Sequence, residues 1–213
     1  MRGALTPHVK GQQNAVKPEE LPALLKAIAG YDELGDLQTR IALQMLALTF
    51  VRTGELIGAT WNEFDLDNAI WCIPGERMKM KTEHLVPLSP QTLALLAQQK
   101  PISGTSRFVF PGRNPAVPMS NNTMLFALYR MGYHGRATTH GFRAVASTLL
   151  NESNLFQPDW IELQLAHVER NKIRGAYNAA QHLPERRKMM QWWSDNVDAI
   201  RREGTTRPLL AVA

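Results

Sequence analysis

The sequence has a single cysteine, Cys72, among its 213 residues. One thiol excludes an intrachain disulfide framework and a zinc site built from several thiolates. Long apolar runs are also missing: the longest, from Ile41 to Val51, is interrupted by Gln44 and Thr49 and predicts a buried helix rather than a membrane span. The first residues lack the apolar segment of a signal peptide, so we expect a cytoplasmic protein.

The sequence also lacks a glycine-rich loop of the kind that holds nucleotide phosphates, which argues against nucleotide hydrolysis. The one acidic pair that resembles a metal site is Asp65 and Asp67. Both belong to Asp-Leu-Asp-Asn, which is ordinary turn chemistry, and no third ligand stands at a suitable spacing. We therefore expect neither a metal nor a cofactor.

Negative charge is in deficit. There are 24 Lys and Arg residues against 19 Asp and Glu, giving a formal net charge of +5 and a pI near 9.6. Such a balance favours a polyanionic partner such as nucleic acid. The excess is modest, so an ordinary basic protein remains an alternative on charge alone.

The pattern of apolar residues and helix breakers predicts an α+β, mainly helical domain over residues 18–203, between a linker-like tail (1–17) and a C-terminal tail (204–213). Residues 100–119 contain four prolines and predict a long surface connection. The predicted helices begin at Pro18, Leu37, Arg52, Pro90, Ser120, His140, Pro158, Asn171 and Pro184. The predicted strands are Trp61–Phe64, Ala69–Ile73 and His84–Pro87, which would form a small antiparallel sheet.

Two arginines are placed where they could bind an anion. Arg52 follows the apolar run, and a charged group at the end of a buried helix needs an anionic partner. That partner could be Glu55 alone, or Glu55 could orient Arg52 toward a phosphate. His140 and Arg143 would share one face of a helix capped by Thr139, and the alternative for this pair is an unremarkable surface position.

Three further residues carry chemistry but are ambiguous alone. Lys79 lies in a predicted hairpin loop, where lysine is usually solvated, and Lys81 is close by. His167 could simply end a helix. Tyr177, ten residues later, could be a half-buried core tyrosine, although a phenol can also attack a phosphodiester and hold the strand as an ester.

Taken together and in order, these motifs resemble the catalytic domain of the tyrosine recombinase (phage integrase) family. The sequences around Glu76 and from Glu185 to Trp193 are similar to those of integrases of prophages and genomic islands in enteric bacteria. The resemblance covers about Pro18 to Asp198. The motifs that carry it are Arg52-Thr-Gly-Glu-Leu56, Lys79-Met-Lys-Thr-Glu-His-Leu-Val-Pro-Leu88, Thr139-His-Gly-Phe-Arg143, Leu165-Ala-His167 and Ala176-Tyr177.

The resemblance implies a reaction. Tyr177 would attack the scissile phosphate, form a 3′-phosphotyrosyl link and release a 5′-hydroxyl, while Arg52 and Arg143 bind the non-bridging oxygens. DNA strands would thereby be exchanged between attachment sites when a mobile element integrates or is excised. A type IB topoisomerase, which uses similar chemistry, and an inactive DNA-binding remnant are the alternatives.

The resemblance also assigns the remaining roles. Lys79 would protonate the departing 5′-oxygen, although the variable length of this loop leaves Lys81 open. His140 would assist proton transfer at the tyrosine, and His167 would hydrogen-bond the phosphoryl group. The spacing from His167 to Tyr177 is one residue longer than in many members, which implies a reshaped connection.

The resemblance implies partners as well: double-stranded DNA attachment sites, other copies of the chain on DNA, and accessory DNA-bending or excision factors. Met190, Trp193, Val197 and Ile200 form a stripe on the last helix, which could pack on its own domain or on a neighbouring copy. The sequence shows no match to the DNA-binding domain that precedes the catalytic domain in this family. We therefore expect weak, salt-sensitive DNA binding by this chain alone.

Overall fold

The computed structural model describes residues 15–167 and 182–206. Tyr177 and the short helix predicted around it therefore lie outside the described residues. The described residues form a mainly helical domain with one small sheet, as predicted. Its helices are α1 (Leu21–Ala29), α2 (Leu37–Thr49), α3 (Thr53–Ile57), α4 (Pro90–Ser103), α5 (Thr123–Arg130), α6 (Gly141–Glu152), α7 (Pro158–Gln164) and α8 (Leu183–Glu203).

Helix α2 is the centre of the core. Asp36 caps its start, with the Asp36 carboxylate accepting a hydrogen bond of 2.8 Å from the Thr39 amide. The helix packs against α1, α4, α5, α6 and α8. It ends two residues before the predicted limit, because Phe50 adopts a left-handed conformation (φ 40°) while fully buried. That turn carries the chain from the core toward Arg52.

The sheet is three-stranded and antiparallel in the order β1 (Phe64–Asp65), β2 (Ile70–Ile73) and β3 (His84–Pro87). The prediction of a strand from Trp61 was wrong, because Trp61–Glu63 forms a tight single-turn helix instead. Glu63 turns inward there and accepts a 2.9 Å hydrogen bond from the indole of Trp71. The buried Glu63 carboxylate needs hydrogen-bond donors, and the single-turn helix lets it meet the Trp71 indole where a longer β1 was predicted.

The prediction of a surface connection over residues 100–119 was wrong for part of this range. Helix α4 continues through Pro101 to Ser103, and Val109 and Phe110 beyond it are fully buried. The buried side chains of Gln99 and Ser103 both donate to the Val109 carbonyl, at 2.8 and 2.6 Å. These bonds hold Val109 inside the core, whereas residues 113–117 of the same segment are exposed.

Helix α8 packs on its own domain. The predicted stripe of Met190, Trp193, Val197 and Ile200 is buried throughout, against α1 and α2 among other elements. The Trp193 indole donates a 2.9 Å hydrogen bond to the Ala47 carbonyl of α2. The intrachain interpretation of the stripe is therefore confirmed. No helix within the described ranges is long and apolar enough to span a membrane.

Candidate active site

Arg143 is the most deeply buried of the predicted site residues that the structure describes, with 3% of its surface exposed. It lies in the first turn of α6. Its Nη1 donates to the Phe50 carbonyl at 2.8 Å, and its Nη2 donates to the Leu165 carbonyl at 2.5 Å. Burial lowers the pKa of Arg143 to about 10, with a further contribution from Arg52. The guanidinium nevertheless stays charged at neutral pH.

Arg52 lies immediately before α3 and is partly exposed. Its backbone amide and its Nη1 each donate 2.8 Å hydrogen bonds to the carboxylate of Glu55, so Glu55 both caps the helix and fixes the guanidinium. Its Nη2 donates to the Ala166 carbonyl at 3.2 Å. Both alternatives for Arg52 include this ion pair with Glu55, and binding of a phosphate by the guanidinium stays a prediction.

Both guanidinium groups are held by the carboxyl ends of helices. Phe50 follows α2, while Leu165 and Ala166 follow α7, and helix carboxyl ends carry partial negative charge that favours cations. Phe50 and Ala166 both adopt positive φ angles, 40° and 48°. A left-handed residue costs about 1–2 kcal/mol for a side chain other than glycine. These turns aim free carbonyls at the two arginines.

His167 lies beside both Arg143 and Glu162. Its Nε2 lies 3.4 Å from Arg143 Nη2, and its Nδ1 lies 2.8 Å from a carboxylate oxygen of Glu162. A carboxylate only accepts hydrogen bonds, so the proton of the neutral ring belongs on Nδ1. The pairing with Glu162 was not predicted.

His140 stands at the start of α6 and is exposed. The predicted cap, Thr139, was wrong by one residue, because the Thr138 hydroxyl accepts the 3.2 Å hydrogen bond from the Gly141 amide. Neighbouring protein atoms partly desolvate the ring and lower the pKa of His140, and the positive charges of Arg143 and Arg52 lower it further. The ring is therefore neutral at physiological pH, the state in which it can accept a proton.

Lys79 is not in contact with this cluster among the described residues. It is exposed in the loop between β2 and β3, and it makes no hydrogen bond or ion pair within ranges 15–167 and 182–206. Lys81 donates a weak 3.3 Å hydrogen bond to the Glu76 carbonyl and has a φ of 58°. The structure thus brings Arg52, Arg143 and His167 together, with His140 beside them.

A buried polar network lies at the end of α7, next to the residues that contact Arg52 and Arg143. Arg186 of α8 is 1% exposed, and its Nη2 donates to the Leu85 carbonyl at 2.6 Å and to the Gln164 side chain at 2.5 Å. Gln164 is itself fully buried and donates a 3.4 Å bond to the Thr49 carbonyl. The network therefore ties α2, β3 and α8 to the last turn of α7.

His84 belongs to this network and gives the fold a measurable pH dependence. Burial lowers its pKa to about 3, Arg186 adds to the effect, and a hydrogen bond to the Gln164 backbone opposes it. Between about pH 6.5 and 3 the unfolded chain binds a proton that the folded chain does not. The free energy of unfolding should therefore fall by about 1.4 kcal/mol per pH unit below 6.5.

Urea denaturation at pH 6.5 and pH 5 measures this slope. We expect a His84 contribution of about 2 kcal/mol between the two values, and a shallower dependence for His84→Gln. The exposed His134 is the matched control, because His134→Gln should keep the wild-type slope. Equal slopes for wild type and His84→Gln would contradict the assignment.

The two guanidinium groups suit a tetrahedral oxyanion. Each arginine has five N–H groups, and contacts with the described residues engage only some of them. Their planar forks match the geometry of phosphate oxygens, with which they form charge-assisted hydrogen bonds. Nowhere in the described ranges do three His, Cys, Asp or Glu side chains gather as metal ligands would, and Asp65 instead accepts 2.9 and 2.7 Å bonds from Asn68 within its turn.

Known proteins are similar to this chain in sequence and in fold. The integrase of Enterobacteria phage P4 is 44% identical over an alignment 217 residues long, which covers 94% of this chain and 49% of that protein. The chain spans about half the length of the curated relatives it matches.

Two solved structures share the fold at low identity. The lambda integrase catalytic core matches with a TM-score of 0.54 at 16% identity, covering 76% of this chain and 95% of that one. A lambda integrase dimer bound to a COC′ core site gives a TM-score of 0.58 at 16% identity, covering 81% of this chain and 50% of that one. Residues 14–183 match the model of the phage integrase family. The chain belongs to the phage integrase family.

Proposed function

We propose that residues 18–203 form the catalytic domain of a site-specific DNA recombinase, which cuts and rejoins strands through a 3′-phosphotyrosyl intermediate. The observation that supports it best is the pair of guanidinium groups, Arg52 and Arg143, held at neighbouring helix ends with His167 next to Arg143. Such a pair suits the charge that grows on the non-bridging oxygens of a phosphodiester under attack. Each preorganised donor contributes on the order of 3 kcal/mol to such a step.

The histidines and Lys79 would move and hold protons. His140, neutral among cations, is suited to take the proton from the attacking phenol. His167 would hydrogen-bond the phosphoryl oxygens beside Arg143. Lys79 would protonate the leaving 5′-oxygen, and its exposed loop must then close over the phosphate when DNA binds.

Tyr177 is the proposed nucleophile. A tyrosine with a pKa near 10 costs about 4 kcal/mol to ionise at pH 7, so a base and nearby positive charge must assist it. The resulting phosphotyrosine keeps the energy of the broken bond for rejoining, so no nucleotide is required. This role rests on the family's motif, since Tyr177 lies outside the described residues.

The proposed partner is double-stranded DNA carrying attachment sites, bound by several copies of the chain with accessory DNA-bending or excision factors. The lambda integrase with this fold is a dimer on a DNA core site, which supports both DNA binding and self-association. The net charge of +5 is consistent with contact to phosphates. Contacts to phosphates release bound counterions, so binding by this chain should weaken with added salt.

The deciding experiment is covalent trapping on a nicked suicide substrate carrying the attachment site, in which the cleaved end diffuses away before it can be rejoined. We expect a covalent protein–DNA adduct with wild type and none with Tyr177→Phe. The reason is that phenylalanine has no oxygen to attack phosphorus. The adduct is measured as a slowly migrating band in a denaturing gel.

Tyr129→Phe is the matched control and should form the adduct at the wild-type rate, because its ring lies on α5 and packs against Phe126 and His134. An adduct with Tyr177→Phe would overturn the assignment of the nucleophile. Relaxation of supercoiled DNA without strand exchange would indicate a topoisomerase instead. DNA binding with no adduct would indicate an inactive remnant.

A further inference from the structure

Glu162 lies beside the site, and the resemblance assigns it no role. It is in the last turn of α7 with about half of its side chain exposed (52%), and His167 is similarly exposed (49%). A surface ion pair of this kind adds little to stability, about 0–1 kcal/mol. The contact is therefore more important for the orientation of His167 than for stability.

The backbone presents His167 to Glu162. With Ala166 left-handed, the His167 amide donates to the Glu162 carbonyl at 3.0 Å and the Ala166 amide donates to the Leu163 carbonyl at 3.0 Å. This is the hydrogen-bond pattern of a Schellman motif, which usually places two apolar side chains against each other. Here the same two positions hold a carboxylate and an imidazole, so the motif brings together a hydrogen-bonded pair.

The pairing fixes both the proton and the direction of the ring. A Glu162 oxygen lies 2.8 Å from Nδ1 of His167, and the opposite ring nitrogen, Nε2, lies 3.4 Å from Nη2 of Arg143. The carboxylate keeps the proton on Nδ1 and turns Nε2 toward the guanidinium cluster. In this form Nε2 carries the free lone pair and can accept a hydrogen bond from Arg143, on the side of the ring that faces the guanidinium cluster.

Resting on the proposed function, we propose that Glu162 is a positioning residue, which holds the Nδ1–H form of His167 and aims Nε2 at the scissile phosphate. Glu162 contacts the substrate only through His167. An amide at this position keeps the hydrogen-bond acceptor and loses the charge, whereas a methyl group loses both. The two substitutions therefore separate aiming the ring from adding negative charge to a positive site.

We expect Glu162→Ala to slow formation of the covalent adduct on the suicide substrate about tenfold, because outer partners that orient a histidine are worth on the order of ten- to a hundredfold. Glu162→Gln should recover to within about threefold of wild type, since its amide oxygen still accepts from Nδ1. In a His167→Ala background, Glu162→Ala should have no further effect, because the two residues act as a unit.

Glu152→Ala is the matched control. Glu152 is an exposed glutamate at the last residue of α6, about 18 Å along that helix from its start beside His140. Its replacement removes the same charge and should leave the adduct rate unchanged. Equal losses for Glu162→Ala and Glu162→Gln, or an undiminished loss in the His167→Ala background, would overturn the positioning role.

A second measurement is independent of activity. Nitrogen-15 NMR of the imidazole should show the Nδ1–H form of His167 in wild type at pH 8 and a shift toward the Nε2–H form in Glu162→Ala. Identical spectra would overturn the proposal even if the chain cleaves DNA. Conversely, a changed spectrum with no wild-type adduct would leave Glu162 as the orienting partner of His167 while the proposed recombinase function fails.

Discussion

Arg143→Lys should slow formation of the covalent adduct by about 10²–10³-fold. A lysine keeps the positive charge, but it cannot donate to the Phe50 and Leu165 carbonyls and to a phosphate in the same fixed geometry. The variant should also lose about 1–3 kcal/mol of unfolding free energy, because a buried carbonyl is left without a donor. Single-turnover trapping and urea denaturation measure the two effects.

Arg52→Lys separates the two effects. Arg52 is partly exposed, and water can satisfy the Glu55 carboxylate and Ala166 carbonyl that it leaves. We expect a comparable loss of cleavage with little change in stability. Cleavage by Arg143→Lys within threefold of wild type would show that its guanidinium does not bind the phosphate in the transition state.

Trp193→Ala should produce the largest loss of stability, about 3–5 kcal/mol. Trp193 is 2% exposed, donates to the Ala47 carbonyl, and meets the buried Phe50 edge-on with ring centroids 5.8 Å apart. Truncation leaves a cavity at the contact between α8 and α2. Chemical denaturation, followed by circular dichroism at the helical band, measures the loss.

The neighbouring Trp192 provides the control. It is only partly buried and packs edge-on against Phe156, at a centroid distance of 5.4 Å. Trp192→Ala should therefore cost clearly less than Trp193→Ala. If the two substitutions cost the same, the contact between Trp193 and Phe50 is not a principal support of the core.

Much of the fold was predictable because local rules and core packing agree. The apolar stretch ending near Val51 forms a buried helix, and Asp65 to Asn68 forms the turn between two strands. Predictions failed where a side chain is paired inside the core. Glu63 accepts from Trp71, and Gln99 and Ser103 donate to Val109, all contacts between residues six to ten positions apart. Propensity has no access to such pairings.

The arginines and histidines of the candidate site could be named from spacing and motif, and the structure places Arg52, Arg143, His140 and His167 in one region. Their supports could not be predicted. Glu162 precedes His167 by five residues, a spacing that falls on different faces of a regular helix. Only the left-handed turn at Ala166 brings the two side chains together, and alanine gives no sequence signal for that conformation.

The two left-handed turns, at Phe50 and Ala166, would hold both arginines in place before a phosphodiester binds. Collecting two guanidinium groups in one place is electrostatically unfavourable, and here backbone carbonyls compensate for it during folding rather than on encounter with a phosphodiester. A receptor completed in advance loses little conformational entropy on binding. The binding of an anion would therefore depend on the stability of two helix ends, and a substitution that loosens either end should slow the proposed cleavage without contacting the phosphate.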